Sequence, residues 1–230
     1  MPLKARLSRP NSPAPAVWAP GGPAKAKMKS PVFAVTGGIA CGKSTMARFL
    51  AEAGCLVLDT DEVVHRLQGP GGAAVAPLTE RFGKEVVADD GSIDRAALAR
   101  IVFADAAALK SLEALVHPLV DREVGRWLAA DGGGRPKAVL VPLLFEAGYD
   151  KKFKWDAVVA VVCPTEEQMR RLKGRGLNDS EARARILAQM PCDEKRRLAD
   201  FTVENGGTVA ELREETLKVL RSINSRVNGE

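Results

Sequence analysis

The 230-residue chain has no apolar run near the roughly twenty residues that cross a bilayer. Its longest runs, such as Ala157 to Cys163, are far shorter, which excludes an integral membrane protein of the helical kind. It has no CxxC pair and only two histidines, His65 and His117. The four scattered cysteines (Cys41, Cys55, Cys163, Cys192) therefore match neither a zinc cluster nor a disulfide framework, and they fit a cytoplasm that keeps thiols reduced. No acidic residue occurs among the first thirty, where Lys4, Arg6, Arg9, Lys25, Lys27 and Lys29 stand. Subtracting those six charges from the chain's +5 leaves residues 31–230 one unit negative. The pI of 9.1 thus reflects the leading segment alone, and the body has no net field to recruit nucleic acid.

That leading segment also holds six of the fourteen prolines. Such a composition buries too little apolar surface to offset its ordering entropy, so residues 1–30 read as a disordered basic extension. It lacks the apolar core of a secretory signal, and its prolines break the amphipathic helix of a transit peptide. Translation starting at Met28 is the simplest reading, with a polybasic tether as the alternative. Residues 31–230 are expected to form one domain.

From Pro31 onward, apolar runs alternate with helical periodicity. Strands are expected at 32–36, 55–58, 138–141, 157–162 and 201–203, and helices at 43–53, through much of 75–130, and at 166–173, 180–190 and 209–220. The two runs at 138–141 and 157–162 read as interior strands. Strands alternating with helices imply an α/β fold, an open parallel sheet with helices on both faces.

Gly37-Gly38-Ile39-Ala40-Cys41-Gly42-Lys43-Ser44 fits G-x-x-x-x-G-K-[ST], directly after the first strand and at the head of the first helix. In that setting glycines let backbone amides converge on phosphate oxygens, and the helix N-terminus adds positive potential. Lys43 would reach the β- and γ-phosphates and Ser44 would ligate Mg²⁺. Cys41 reads as a small filler; a redox-sensing thiol is the alternative, because a helix N-terminus lowers a thiol pKa. The metal-organising Asp that ends a later strand in many ATPases and GTPases is missing: Val139–Val141 runs into Pro142-Leu143-Leu144-Phe145-Glu146. A guanine-reading NKxD tetrad is missing too. Asp59 and Asp61 instead end the second strand, on the rim that carries the loop. Either alone could be a helix N-cap; as a pair beside the loop they favour catalysis, with one facing the γ-phosphate and an acceptor hydroxyl. Arg170, Arg171, Lys173 and Arg175 read either as a solvated helix face or as phosphate ligands, Arg171 and Arg175 being four apart and hence on one face. His117 reads as a packed or capping residue, with Pro118 marking a helix bend or start. Trp127 and Trp155 read as packing residues.

These elements resemble the dephospho-coenzyme A kinases. Thr36 to Thr45 is similar to that family's TGGI-x-x-GKST loop, Asp59-Thr60-Asp61 to its D-x-D element, Leu115 to Leu119 to its L-x-HPL element, and Val141 to Glu146 to its VPLLFE element. Gln168, Arg171 and Arg175 fit its arginine-bearing lid, and Gln189, Lys195, Ala199-Asp200 and Asn205-Gly206 continue the likeness, which spans roughly 32–207. The stretch after Arg175 is one residue shorter than the family pattern, and residues 1–30 have no counterpart in it.

The resemblance implies a P-loop kinase fold with a helical acceptor-side region about 62–130 and a lid about 165–192. It implies phosphorylation of the ribose 3′-hydroxyl of dephospho-coenzyme A by Mg·ATP, the last step of coenzyme A synthesis. Asp61 would be the general base and Arg175 the lid arginine, with Lys43 completing the catalytic set. Gly38 to Thr45 would hold ATP, with Asn205 near its adenine. Asp59, Arg95 and His117 would lie on the acceptor side. The expected partners are dephospho-coenzyme A and ATP, with no nucleic acid and no membrane, in a cytoplasmic monomer or small homo-oligomer. Another small-molecule or nucleoside-monophosphate kinase is the nearer rival reading, and a non-catalytic nucleotide switch the more distant one.

Overall fold

In the computed structural model, which describes residues 29–229, five strands form one parallel sheet in the order β2-β3-β1-β4-β5. They are β1 (Val32–Gly37), β2 (Leu56–Asp59), β3 (Lys137–Leu140), β4 (Ala157–Val162) and β5 (Phe201–Glu204). Every residue of β3 and β4 is buried, as a parallel strand covered on both faces requires. Alternation along β1 sends Phe33 and Val35 to one face and Ala34 to the other.

The first face packs on α1 (Lys43–Glu52) and α10 (Val209–Asn228) through Met46, Phe49, Leu50, Leu220 and Ile223. The other packs on α2 (Thr60–Gln68), α3 (Val75–Phe82), α4 (Arg95–Ala104) and α5 (Ala106–Ala129). Trp127 and Trp155 pack, half-buried, against that second core. The short α6 (Tyr149–Lys152) precedes β4. After β4 come α7 (Thr165–Lys173), α8 (Asp179–Leu187) and α9 (Cys192–Leu198). The α/β expectation holds, and no described helix is long and apolar enough to cross a membrane.

Three local expectations are corrected. Pro118 does not start a helix: it lies inside α5, which continues through it. Pro118 and Ala114, whose carbonyl loses its i+4 donor, are both exposed, so water can take that place. The 180–190 helix stops at Leu187, and α9 follows as a separate helix after Pro191. Lys137 was outside the expected strand yet opens β3 while buried, because its ammonium caps the C-terminus of α5, donating to the carbonyls of Trp127, Leu128 and Ala130.

The extension read as disordered lies almost wholly outside the described residues. Its last part is anchored: Lys29 donates its amide to Asn228 Oδ1 at 2.9 Å and pairs through Nζ with Asp156 at 2.5 Å. Removal of residues 1–27 is expected to leave the thermal midpoint and kinase turnover unchanged; calorimetry and a coupled assay on the truncated chain check this, and a loss of either would give the segment a structural or functional part.

Candidate active site

The C-terminal ends of the strands converge on one rim, which receives the loop after β1, Asp59 at the end of β2, Pro142 after β3, Cys163 after β4 and Asn205 after β5. Because β1 sits between β3 and β4, the loop leaves the sheet where the strand order changes direction, the crevice where α/β sheets bind ligands.

The loop's glycines are fixed by contact. A Cβ on Gly37 would meet the Val161 carbonyl oxygen at 2.0 Å. Gly42 stands at φ +100, and a Cβ there would meet Asn205 Nδ2 at 2.2 Å. Ala40 is left-handed at φ 60, a strain of about 1–2 kcal/mol for a residue with a Cβ.

Every carbonyl from Gly37 to Cys41 is held by a side chain. Lys43 Nζ donates to Gly37 at 2.9 Å and Gly38 at 3.0 Å. Gln168 Nε2 donates to Ile39 at 2.8 Å, Arg171 Nη1 to Ala40 at 3.1 Å and Asn205 Nδ2 to Cys41 at 2.8 Å. With the carbonyls committed, the amides at the head of α1, which have no intrahelical partner, are left to an anion. Asn205, only 5% exposed, also accepts from Arg171 Nη2 at 2.9 Å on its carbonyl. The position it occupies is behind the loop, as a brace.

Asn205→Ala would leave the buried Cys41 carbonyl without its donor, a cost of about 1–3 kcal/mol. A lower thermal midpoint and a higher KM for nucleotide are therefore expected, measurable by melting and steady-state kinetics.

A cleft of about 270 Å³ in front of the loop is lined by Ile39, Ala40 and Gly42 to Thr45, with Asp61, Pro142, Arg175 and Gln189. Asp59 is the N-cap of α2, its Oδ1 accepting from the Asp61 amide at 2.9 Å. The cap reading is thus right for Asp59, while Asp61, two residues on, faces the cleft. Desolvation by the cleft walls, then the Asp59 carboxylate, push the Asp61 pKa above the usual aspartate range, against the opposing charges of Lys43 and Arg95. Burial pushes the Lys43 pKa down, and the nearby Lys195 ammonium adds to this.

Arg175 reaches the cleft by a route other than the expected one. Helix α7 ends at Lys173, and Arg175 sits in the turn beyond it, its amide bonded to the Leu172 carbonyl at 3.0 Å. Arg171 stays on the helix, paired with Glu167 and bonded to the loop, so the two arginines do not share a helical face. Arg170 pairs with Glu167 in solvent. Arg95 opens α4 with Nη1 3.1 Å from His65 Nδ1. His117 is exposed on α5 and is not among the residues that line the cleft.

Several residues here had no role assigned from the sequence. Lys195 is fully buried, donating to the Pro142 carbonyl at 2.7 Å and paired with Glu146 at 2.8 Å. Glu146 in turn accepts from the Met190 amide at 3.0 Å, tying the segment after α8 to the sheet rim. Burial alone would raise the Glu146 pKa, but the Lys195 bond and backbone amides hold it below the usual range. His65 stands four residues after Asp61, a spacing that puts both on one face of α2 and was available as a signal.

The same arrangement of elements is found in known proteins. The dephospho-CoA kinase family model matches residues 31–211. This chain belongs to the dephospho-CoA kinase family. A dephospho-CoA kinase of Symbiobacterium thermophilum is 44% identical over 202 residues, covering 86% of this chain and 84% of that one. Another, from Corynebacterium glutamicum, is 40% identical over 197 residues, covering 84% and 98%. Among solved structures, TT1252 of Thermus thermophilus superposes with a TM-score of 0.71 at 39% identity over 84% of this chain and 98% of that one. A dephospho-CoA kinase from Campylobacter jejuni does so with a TM-score of 0.60 at 27% identity, over 84% and 97%. Shikimate kinase of Acinetobacter baumannii, at 0.52 and 20%, shares the P-loop kinase fold. The chain is a dephospho-CoA kinase, acting in coenzyme A synthesis.

Proposed function

We propose that the loop from Gly38 to Thr45 cradles the phosphates of ATP and that Asp61 accepts the proton of the ribose 3′-hydroxyl of dephospho-coenzyme A. The observation that carries this is the cleft where Lys43, Ser44, Asp61 and Arg175 meet in front of a loop whose carbonyls are turned away. Phosphoryl transfer needs positioning and charge neutralisation more than covalent participation. Lys43, now bonded to two loop carbonyls, would exchange them for phosphate oxygens, and Arg175 would close on the same charge. Asp61, with its raised pKa, is a stronger base than an ordinary aspartate.

The donors fit Mg²⁺: the Ser44 hydroxyl and the Asp61 carboxylate are hard oxygens that line the cleft. When bound, the metal would supply positive charge that offsets the charge of the phosphates. Arg95, whose charge acts on Asp61, is placed to hold the acceptor, with His65 orienting its guanidinium. His117, on the helical region of about 62–130, belongs to a more distant part of the acceptor surface. The segment of about 165–192 serves as the lid of a single kinase domain, residues 31–230. The four free cysteines support a reducing compartment, the cytoplasm.

A coupled assay with ATP and dephospho-coenzyme A beside adenosine, nucleoside monophosphates and shikimate tests this. Turnover is expected with dephospho-coenzyme A alone; comparable turnover with a nucleoside monophosphate would transfer the acceptor reading to that class.

A further inference from the structure

Three of the four cysteines meet behind the phosphate loop. Cys41 Sγ lies 3.1 Å from Sγ of Cys163, which follows β4, and 3.6 Å from Sγ of Cys192, which opens α9. Cys192 Sγ also occupies the space that a side chain on Gly38 would need, 2.6 Å from an ideal Cβ. Cys163 and Cys192 line a second cleft of about 570 Å³ between the rim and the helices after β4, bounded by Pro164, Gln168, Gln189 and Pro191. Cys192 and the 5%-exposed Cys163 therefore border a cleft other than the one in front of the loop, while Cys41 is fully buried behind them. Among the described residues no three Cys, His, Asp or Glu form a group that could hold a metal ion. The reaction itself uses none of the three thiols.

The hydrogen bonds polarise the trio in one direction. The bond with Cys163 pushes Cys41 up to about 11, the reverse of what the helix N-terminus alone suggested, while the bond with Cys41 pushes Cys192 higher still. Cys163 goes the other way: its bond with Cys41 outweighs burial, and the Arg171 charge helps to hold it low. Cys163 is thus the most readily ionised of the three, with Cys41 as its nearest neighbour.

We propose that Cys163 and Cys41 form a modification site for hydroperoxides, closing into a disulfide that reversibly disables the phosphate loop. The Cys163 thiolate attacks the terminal oxygen of the hydroperoxide. The O–O bond breaks, the leaving alkoxide or hydroxide takes up a proton, and Cys163 becomes a sulfenic acid. The Cys41 sulfur then displaces the sulfenic hydroxyl; an S–S bond forms, the S–O bond breaks, and water leaves with the Cys41 proton. Two electrons leave the thiol pair and two enter the peroxide bond. The sulfurs must close from 3.1 Å to about 2.0 Å. Cys41 is itself a loop residue, held through its carbonyl by Asn205, so its shift draws the phosphate-binding amides out of register.

The test is hydrogen peroxide added to the reduced full-length enzyme, followed by catalase, a kinase assay and non-reducing peptide mapping. A loss of at least tenfold in turnover is expected, reversed by dithiothreitol, together with a linked pair of peptides carrying Cys41 and Cys163, two hydrogens lighter than their sum. Cys163→Ala is expected to keep basal turnover and resist peroxide. Should that variant fold poorly, Cys163→Ser and the wild-type peptide map decide the matter. A Cys41–Cys192 link, no link, or a Cys41–Cys163 link with full turnover overturns the proposal; the map reads the bond independently of catalysis.

Discussion

Lys43→Ala is expected to lower turnover by on the order of 10²–10³-fold or more while leaving the fold in place, because the removed charge acts on the transferring phosphate. In the free protein Lys43 bonds the Gly37 and Gly38 carbonyls. Gly38 keeps the Cys41 amide as donor at 3.2 Å, so only Gly37 loses its partner. Against that loss stands relief of the burial that holds the Lys43 pKa down. A melting temperature within a few degrees of wild type is expected, with steady-state and single-turnover kinetics reading the catalytic defect. Near-normal turnover would remove Lys43 from the mechanism; a collapsed melting temperature would make it a structural residue.

Asp61→Asn should cost about 10²–10⁴-fold in kcat with little change in KM, since the amide keeps the shape of the side chain but cannot take a proton. The pH profile adds a second readout. Asp61 works as a base only when ionised, so kcat/KM should fall as pH drops through its pKa. Its raised position puts that acid limb above the usual aspartate range. Arg95→Met removes a charge that opposes the rise and should move the limb higher still, whereas Asp61→Asn should abolish it. Asp59→Asn should differ: asparagine caps a helix as well as aspartate does, so α2 persists. If Asp59 acts on Mg²⁺ through water, raising magnesium should relieve its defect and leave that of Asp61 untouched. A wild-type kcat in Asp61→Asn would exclude it as the base.

What could be read from the residues is what depends on spacing. Gly37 to Ser44, the apolar runs of β3 and β4, and the aspartate pair after β2 are each local patterns, and each falls where the fold needs it. The braces on the loop were hidden because Gln168, Arg171 and Asn205 lie 129, 131 and 164 residues from the carbonyls they hold. Periodicity misassigned Arg175 because nothing in Lys173-Gly174-Arg175 announces that the helix closes there and the arginine swings free. Nothing local marks Lys195 or Lys137 for burial, yet both are buried, one on Glu146 and Pro142 and the other on the end of α5. A lysine's burial is decided by which carbonyls come to meet it, and that is a property of the assembled fold. The thiol trio was invisible for the same reason.

The strand order carries a consequence for how the chain is made. Both strands encoded early, β1 and β2, flank β3 and touch only strands encoded later: β1 pairs with β3 and β4, and β2 pairs with β3. A nascent chain therefore holds no paired strand until residues 137–140 have left the ribosome, and helices α1 to α5 must wait beside two unpaired ribbons. Such non-local pairing is slow and leaves apolar edges open to neighbouring chains. A series of ribosome-stalled chains should show protease resistance rising abruptly once β3 and β4 emerge, and ATP retention only after Asn205 has followed them.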